Sequence, residues 1–143
     1  MDKLSVIIRC RNEESYIGFA IQSVIDHFDN PEIIIVDNNS TDESMKVVAL
    51  FDQHDIKTVH VNEYSPGYAL NQGIKLCSND IVLILSSHSQ ITKVDFEKVK
   101  KDLEVNVAVF GNQTPIYKGK KITKRYIWSH FHDKLESNMY SEI

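Results

Sequence analysis

Three short runs, apolar at almost every position, constrain this chain more than any other feature: Leu4-Ser5-Val6-Ile7-Ile8, Ile33-Ile34-Ile35-Val36 and Ile81-Val82-Leu83-Ile84-Leu85. A strand with one face in water alternates apolar and polar residues, whereas a strand covered on both faces reads as a continuous apolar stretch. Between the first two runs, Ile17, Ala20, Ile21, Val24, Ile25 and Phe28 recur every three or four positions. That is the rhythm of an amphipathic helix, and Asn30-Pro31 stops it. Ser40 and Glu43 spell a capping box, which predicts a second helix through Val47, Val48 and Phe51.

Thr58 to Val61 reads as a shorter third strand, followed by a loop from Asn62 to Pro66 and a helix from about Gly67 to Cys77. Beyond the run at 81–85, which has the strongest buried-strand character, come a polar loop at Ser86 to Gln90 and a helix carrying Val94, Phe96, Val99 and Leu103. A strand from Val105 to Phe110 is predicted next. Strands alternating with helices at this spacing imply right-handed crossovers, and so an α/β fold with a mostly parallel sheet sandwiched by helices. After Gly111 the pattern changes. Lys118-Gly119-Lys120-Lys121 reads as a basic turn, and Ile127, Phe131, Leu135 and Met139 suggest a helix. The expected organisation is an α/β binding domain over residues 1–113 and a helical extension over 114–143.

A chain of 143 residues is one domain in size, able to bury roughly two thirds of its unfolded surface. A net charge of −4 gives it no electrostatic reason to seek nucleic acid. Cys10 and Cys77 lack metal-knuckle or disulfide-framework spacing, so a reducing cytoplasm is the expected setting. No apolar stretch approaches the roughly 20 residues of a membrane span, so any membrane contact is expected to be peripheral.

In an open parallel sheet, ligands gather outside the carboxyl ends of the strands, where helix N-termini aim backbone N–H groups at a shared crevice. Three polar loops fall at that end: Arg9-Cys10-Arg11-Asn12-Glu13-Glu14, Asp37 to Asp42, and Ser86-Ser87-His88-Ser89. The glycines, at 18, 67, 73, 111 and 119, form neither G-x-G-x-x-G nor G-x-x-x-x-G-K-[ST], which argues against a dinucleotide enzyme or a P-loop NTPase. A receiver domain would place its phospho-acceptor after the third strand, whereas Asp37 follows the second.

The runs Leu4 to Glu14 and Ile34 to Asp42, then Ser65-Pro66-Gly67-Tyr68-Ala69-Leu70-Asn71-Gln72-Gly73 and Ile84-Leu85-Ser86-Ser87-His88-Ser89, together resemble family 2 glycosyltransferases of the GT-A fold. Within that family they are most similar to a subgroup with A-L-N-x-G before L-S-A-H. The resemblance covers residues 3 to about 113 and implies a nucleotide-sugar-binding half, incomplete at the C-terminus. It implies that Arg9, Arg11, Asn12 and Glu13 border the base and ribose, and that Asp37 or Asn38 bonds the base edge. Asn71, Ser86, Ser87 and His88 would then lie toward the diphosphate and sugar.

Where most relatives carry Asp-x-Asp to hold Mg²⁺ or Mn²⁺, this chain has Ser86-Ser87-His88. Hard divalent ions prefer carboxylate oxygen, so metal affinity should fall. His88 would either ligate a softer ion such as Mn²⁺ or, as imidazolium, pair with phosphate charge. The resemblance further implies an inverting transferase of cell-surface polysaccharide or glycan synthesis, with a glycan or lipid-linked acceptor. Its base would be an Asp or Glu beyond these strands. Asp133, Glu136 and Glu142 read instead as solvated helical residues. A fragment of a longer transferase would expose a seam, with Trp128, Phe131 and Tyr140 favouring a homo-oligomer. The alternative is a non-catalytic nucleotide- or nucleotide-sugar-binding module.

Overall fold

The computed structural model describes residues 3–121. They fall into two compact units, one ending at Val94 and one beginning at Asp95. The first unit runs β1 (Leu4–Cys10), α1 (Ile17–His27), β2 (Glu32–Asp37), α2 (Ser44–Ala49), β3 (Ile56–His60), α3 (Pro66–Ile74) and β4 (Ile81–Ser86). Its four strands are all parallel, in the order β3-β2-β1-β4. The chain thus steps outward from β1 through β2 to β3, then returns to lay β4 on the far side of β1. With right-handed crossovers, α1 and α2 share one face of the sheet and α3 takes the other.

Side-chain burial follows that division. Ile7, Ile34 and Val36 form one core with Val61 and Ala69, which places α3 on their face. The alternate strand residues Val6, Ile8, Ile33 and Ile35 are equally buried, as are Ile17, Ala20, Ile21 and Val24 of α1. Two glycines allow the helices to approach closely. A Cβ on Gly73 would lie 2.8 Å from Ile7 Cγ2 and 3.1 Å from Val36 Cγ2, so α3 rests almost directly on the sheet. On the other face a Cβ on Gly18 would meet Val47 Cγ1 at 3.1 Å, which brings α1 against α2.

The amino ends of the strands are tied by a polar cluster around Glu32, which is only 4% exposed. Its carboxylate accepts from Ser5 Oγ at 2.5 Å, from the Ser78 amide and hydroxyl at 2.8 Å each, and from Lys57 Nζ. Burial alone would raise the Glu32 pKa. The bonds from Lys57, Ser5 and Ser78 outweigh it and hold the group down at about 2.

The structure revises three expectations. The capping box does not form: α2 starts only at Ser44 without a side-chain cap, because the Ser40 hydroxyl is taken by the Asn12 amide at 3.0 Å. The run at 81–85 is not buried on both faces. β4 has no strand beyond it among the described residues, and Ile84 is 52% exposed. Residues 105–110 form no strand, although their composition suits one; Val105 is 81% exposed and Val107 fully so. A strand needs a partner ladder, and none among the described residues engages this segment.

The second unit contains α4 (Phe96–Leu103), capped by Asp95, whose carboxylate accepts from the Lys98 amide at 3.0 Å. A short antiparallel hairpin follows, β5 (Ile116–Tyr117) and β6 (Lys120–Lys121). Lys118 and Gly119 turn it with φ of 48° and 73°, the basic turn expected there. The predicted helix from Ile127, with Trp128, Phe131, Asp133, Glu136, Tyr140 and Glu142, lies outside the described residues.

Candidate functional site

The strand order reverses between β1 and β4, so the crevice of a doubly wound sheet belongs above the carboxyl ends of those strands and of β2. Two asparagines shape the turns there. Asn12 after β1 and Asn39 after β2 hold φ of 53° and 50°, the left-handed region that asparagine tolerates better than most residues. Each turn is then bonded to the other. The Asn12 amide donates to Ser40 Oγ at 3.0 Å, and the Thr41 amide returns a bond to Asn12 Oδ1 at 2.7 Å. The Glu13 amide donates to Ser44 Oγ at 2.8 Å, the Glu14 amide to Asp42 at 3.1 Å, and the Glu43 amide to the Glu14 carboxylate at 2.8 Å. Desolvation, the largest single effect on Asp42, would raise its pKa, but the bonds from Ser44 and Glu14 together outweigh it and hold the group below its ordinary carboxylate value.

Asp37 closes β2 and is 2% exposed. Its carboxylate accepts the Ser40 amide, at 3.1 Å to Oδ1 and 3.3 Å to Oδ2, and lies 2.9 Å from His60 Nδ1. On the other side of the crevice, the loop after β4 reaches the loop after β1. His88 Nδ1 stands 3.3 Å from Glu13 Oε1, and Ser86 Oγ lies 3.2 Å from His88 Nε2. Asn12, Glu13, Asp37, Ser86 and His88 are therefore drawn into one neighbourhood by three strand ends.

The other sequence candidates are placed less directly. Arg9 is half-buried and donates to the Tyr64 hydroxyl at 3.2 Å, which tips it toward the loop before α3. Arg11 is exposed. Asn38 is 8% exposed and its amide donates to the Cys10 carbonyl at 2.9 Å, a link from β2 to β1. Ser87 is 3% exposed. Asn71 stands exposed on α3.

The profile of glycosyl transferase family 2 matches residues 5–142, almost the whole chain. The chain belongs to this family. Among relatives similar to this family 2 chain is a Methanococcus voltae protein named dolichyl N-acetyl-alpha-D-glucosaminyl phosphate 3-beta-D-2,3-diacetamido-2,3-dideoxy-beta-D-glucuronosyltransferase. The two are 30% identical over 96 residues, spanning 62% of this chain and 30% of the relative. The crystal structure of S. aureus TarS residues 1–349 with UDP-GlcNAc superposes with a TM-score of 0.60 at 28% identity, over 71% of this chain and 30% of TarS. Glucosyl-3-phosphoglycerate synthase of Mycobacterium tuberculosis, solved with Mn²⁺, UDP and glucosyl-3-phosphoglycerate, gives 0.50 at 26% identity, over 60% and 33% of the two chains. The chain thus spans about a third of the length of these proteins.

The family 2 chain offers a divalent ion little at its Asp-x-Asp position. His88 and Glu13 supply one imidazole and one carboxylate, and among the described residues no three His, Cys, Asp or Glu side chains group to hold a metal. A hard ion preferring several oxygen ligands is poorly matched by that pair. Among the described residues no helix is long and apolar enough to cross a membrane.

Sequence reasoning missed His60 and Tyr64. Nothing local marks either. His60 meets Asp37 only because β3 pairs with β2 in the register that sets the two opposite each other. His60 is also one wall of an open groove of about 420 Å³ between α2 and β3, walled as well by Met45, Val48, Phe51 and Ile56.

Proposed function

We propose that this family 2 chain binds a nucleotide-sugar donor over the carboxyl ends of β1, β2 and β4. Within a longer protein, it serves the inverting transfer of that sugar to an acceptor hydroxyl. One observation carries the reading. Asp37, Ser40, Asn12, Glu13 and His88 form a continuous bonded line across three strand ends, from the position suited to a base to the position suited to a diphosphate. The UDP-GlcNAc in TarS and the UDP in the mycobacterial synthase support a nucleoside diphosphate sugar as the donor class. The dolichyl group in the name of the archaeal relative supports a lipid-linked glycan acceptor.

In this reading Asp37 accepts a ring N–H of the base, and the guanidinium of Arg9 or Arg11 flanks its plane. Glu13 borders the ribose, while Asn71 and Ser86 approach the phosphates and sugar. His88 takes the place of the Asp-x-Asp carboxylates with the opposite charge: as imidazolium it pairs directly with diphosphate oxygen instead of through a metal. Catalysis then rests on positioning the donor and stabilising the departing phosphate, while the acceptor's proton goes to a carboxylate supplied outside the described residues.

Calorimetric titration with UDP, GDP, dTDP and CMP, followed by a sugar-nucleotide hydrolysis assay, tests the reading. Binding with turnover supports the transferase, binding without turnover supports a donor-binding module, and the absence of binding overturns both. His88→Ala should weaken nucleoside diphosphate binding roughly tenfold, equally with and without Mn²⁺. Unchanged affinity would remove His88 from the diphosphate site, and a loss confined to Mn²⁺-containing buffer would make it a metal ligand.

A further inference from the structure

The proposed base site depends on a buried carboxylate, and a buried carboxylate needs hydrogen-bond donors to satisfy it and fix its orientation. Asp37 has two such donors. One is the Ser40 amide, shared between both oxygens; the other is His60, with Nδ1 at 2.9 Å from Oδ2. The two residues face each other across the β2–β3 ladder, so backbone register fixes the contact. The His60 side chain is 60% exposed whereas that of Asp37 is 2% exposed. His60 therefore contributes little packing, and its consequence for Asp37 is the bond it donates.

We infer that His60 is a positioning residue for nucleobase selection: by donating Nδ1–H to Asp37 Oδ2 it holds the carboxylate turned so that its remaining lone pairs accept a ring N–H from the ligand. The inference rests on the base lying at Asp37. A carboxylate oriented in this way accepts from bases carrying a ring N–H, namely uracil, thymine and guanine. Cytosine presents an unprotonated ring nitrogen at the corresponding place and sets lone pair against lone pair, so a site of this kind rejects it. Neither Arg9 nor Lys57 substitutes for His60. Arg9 is engaged with Tyr64, and Lys57 is engaged with Glu32 and Ser78.

The test is calorimetric binding of UDP, GDP and CDP to the 143-residue chain, its Asp37→Ala variant and the variants His60→Ala and His60→Asn. Thermal melts confirm that each variant folds. Expected for His60→Ala is a loss of about tenfold for the preferred N–H-bearing nucleotide with CDP nearly unchanged, so that discrimination narrows by the same factor. His60→Asn, whose amide N–H reaches a similar point, should restore most of it. Wild-type affinity and discrimination in His60→Ala, or equal loss in the Ala and Asn variants, overturns the inference while leaving the donor site intact. Unchanged affinity in Asp37→Ala removes the base from Asp37 and overturns the site reading itself.

Discussion

The residue that states its energetic role most plainly is Glu32, at the end of the sheet away from the crevice. Its carboxyl sits at about 2 in the folded chain because Lys57, Ser5 and Ser78 outweigh the cost of burial. A depressed pKa means that the unfolded state binds the proton first. The stabilisation is therefore complete above the unfolded value of about 4.5 and is lost as pH falls from there toward 2. The full contribution is on the order of 3 kcal/mol. Urea unfolding at pH 7 and pH 3 should show about 2 kcal/mol of it, since the loss is incomplete until pH falls to the folded value, and Glu32→Gln should lower stability at pH 7 while flattening the slope between the two. Lys57 answers in kind, its pKa raised first of all by its bond to Glu32. Cys10 shows a burial effect of the other sort. Burial pushes its thiol up, with bonds from Ser44 and Ser40 acting against that, so it should react slowly with alkylating agents in the folded chain.

At the scale of elements, Gly73 decides how near α3 can lie to the sheet. Gly73→Ala gains helix propensity of about 0.5–1 kcal/mol, but drives a methyl to 2.8 Å from Ile7 Cγ2. Ile7 and Val36 are 0% and 1% exposed and have nowhere to move, so overpacking of about 1–3 kcal/mol should win. A fall in the urea midpoint at constant m-value would show it. The elements themselves were legible in the sequence wherever periodicity was local. β1 and β2 read as doubly covered strands and are so, and the helix stopped at Asn30-Pro31 was found within a few residues. What could not be read depended on distant partners. Ser40 spells a cap, yet its hydroxyl is claimed by Asn12 from another loop. The run from Ile81 to Leu85 reads as fully buried, but an apolar run does not reveal whether its strand has a neighbour on each side. The same holds for the site. Asn12, Glu13, Asp37, Ser86 and His88 were legible as polar residues at strand ends, while His60 was visible only once β2 and β3 were in register.

For the molecule as a whole, the consequence is an unfinished edge. β4 follows β1 in the sheet with no strand beyond it among the described residues, and from Ile81 to Leu85 it carries no charge to discourage pairing. Natural sheets protect such edges with charged residues or by covering them. Ile84, 52% exposed, is the position where a charge costs least. Ile84→Lys should reduce concentration-dependent self-association in sedimentation runs while shifting stability by less than about 1 kcal/mol. An unchanged sedimentation profile would show that association, where present, uses another surface.

The bonds that run between the turns after β1 and β2 have one more effect. A binding surface made of separate loops must be immobilised by whatever arrives, and the arriving molecule loses affinity in doing so. Here the Asn12, Glu13 and Glu14 amides are anchored on the opposite turn, and the Thr41 and Glu43 amides are anchored back. Most of the freezing is accomplished when the chain folds, so the guest finds its host already set.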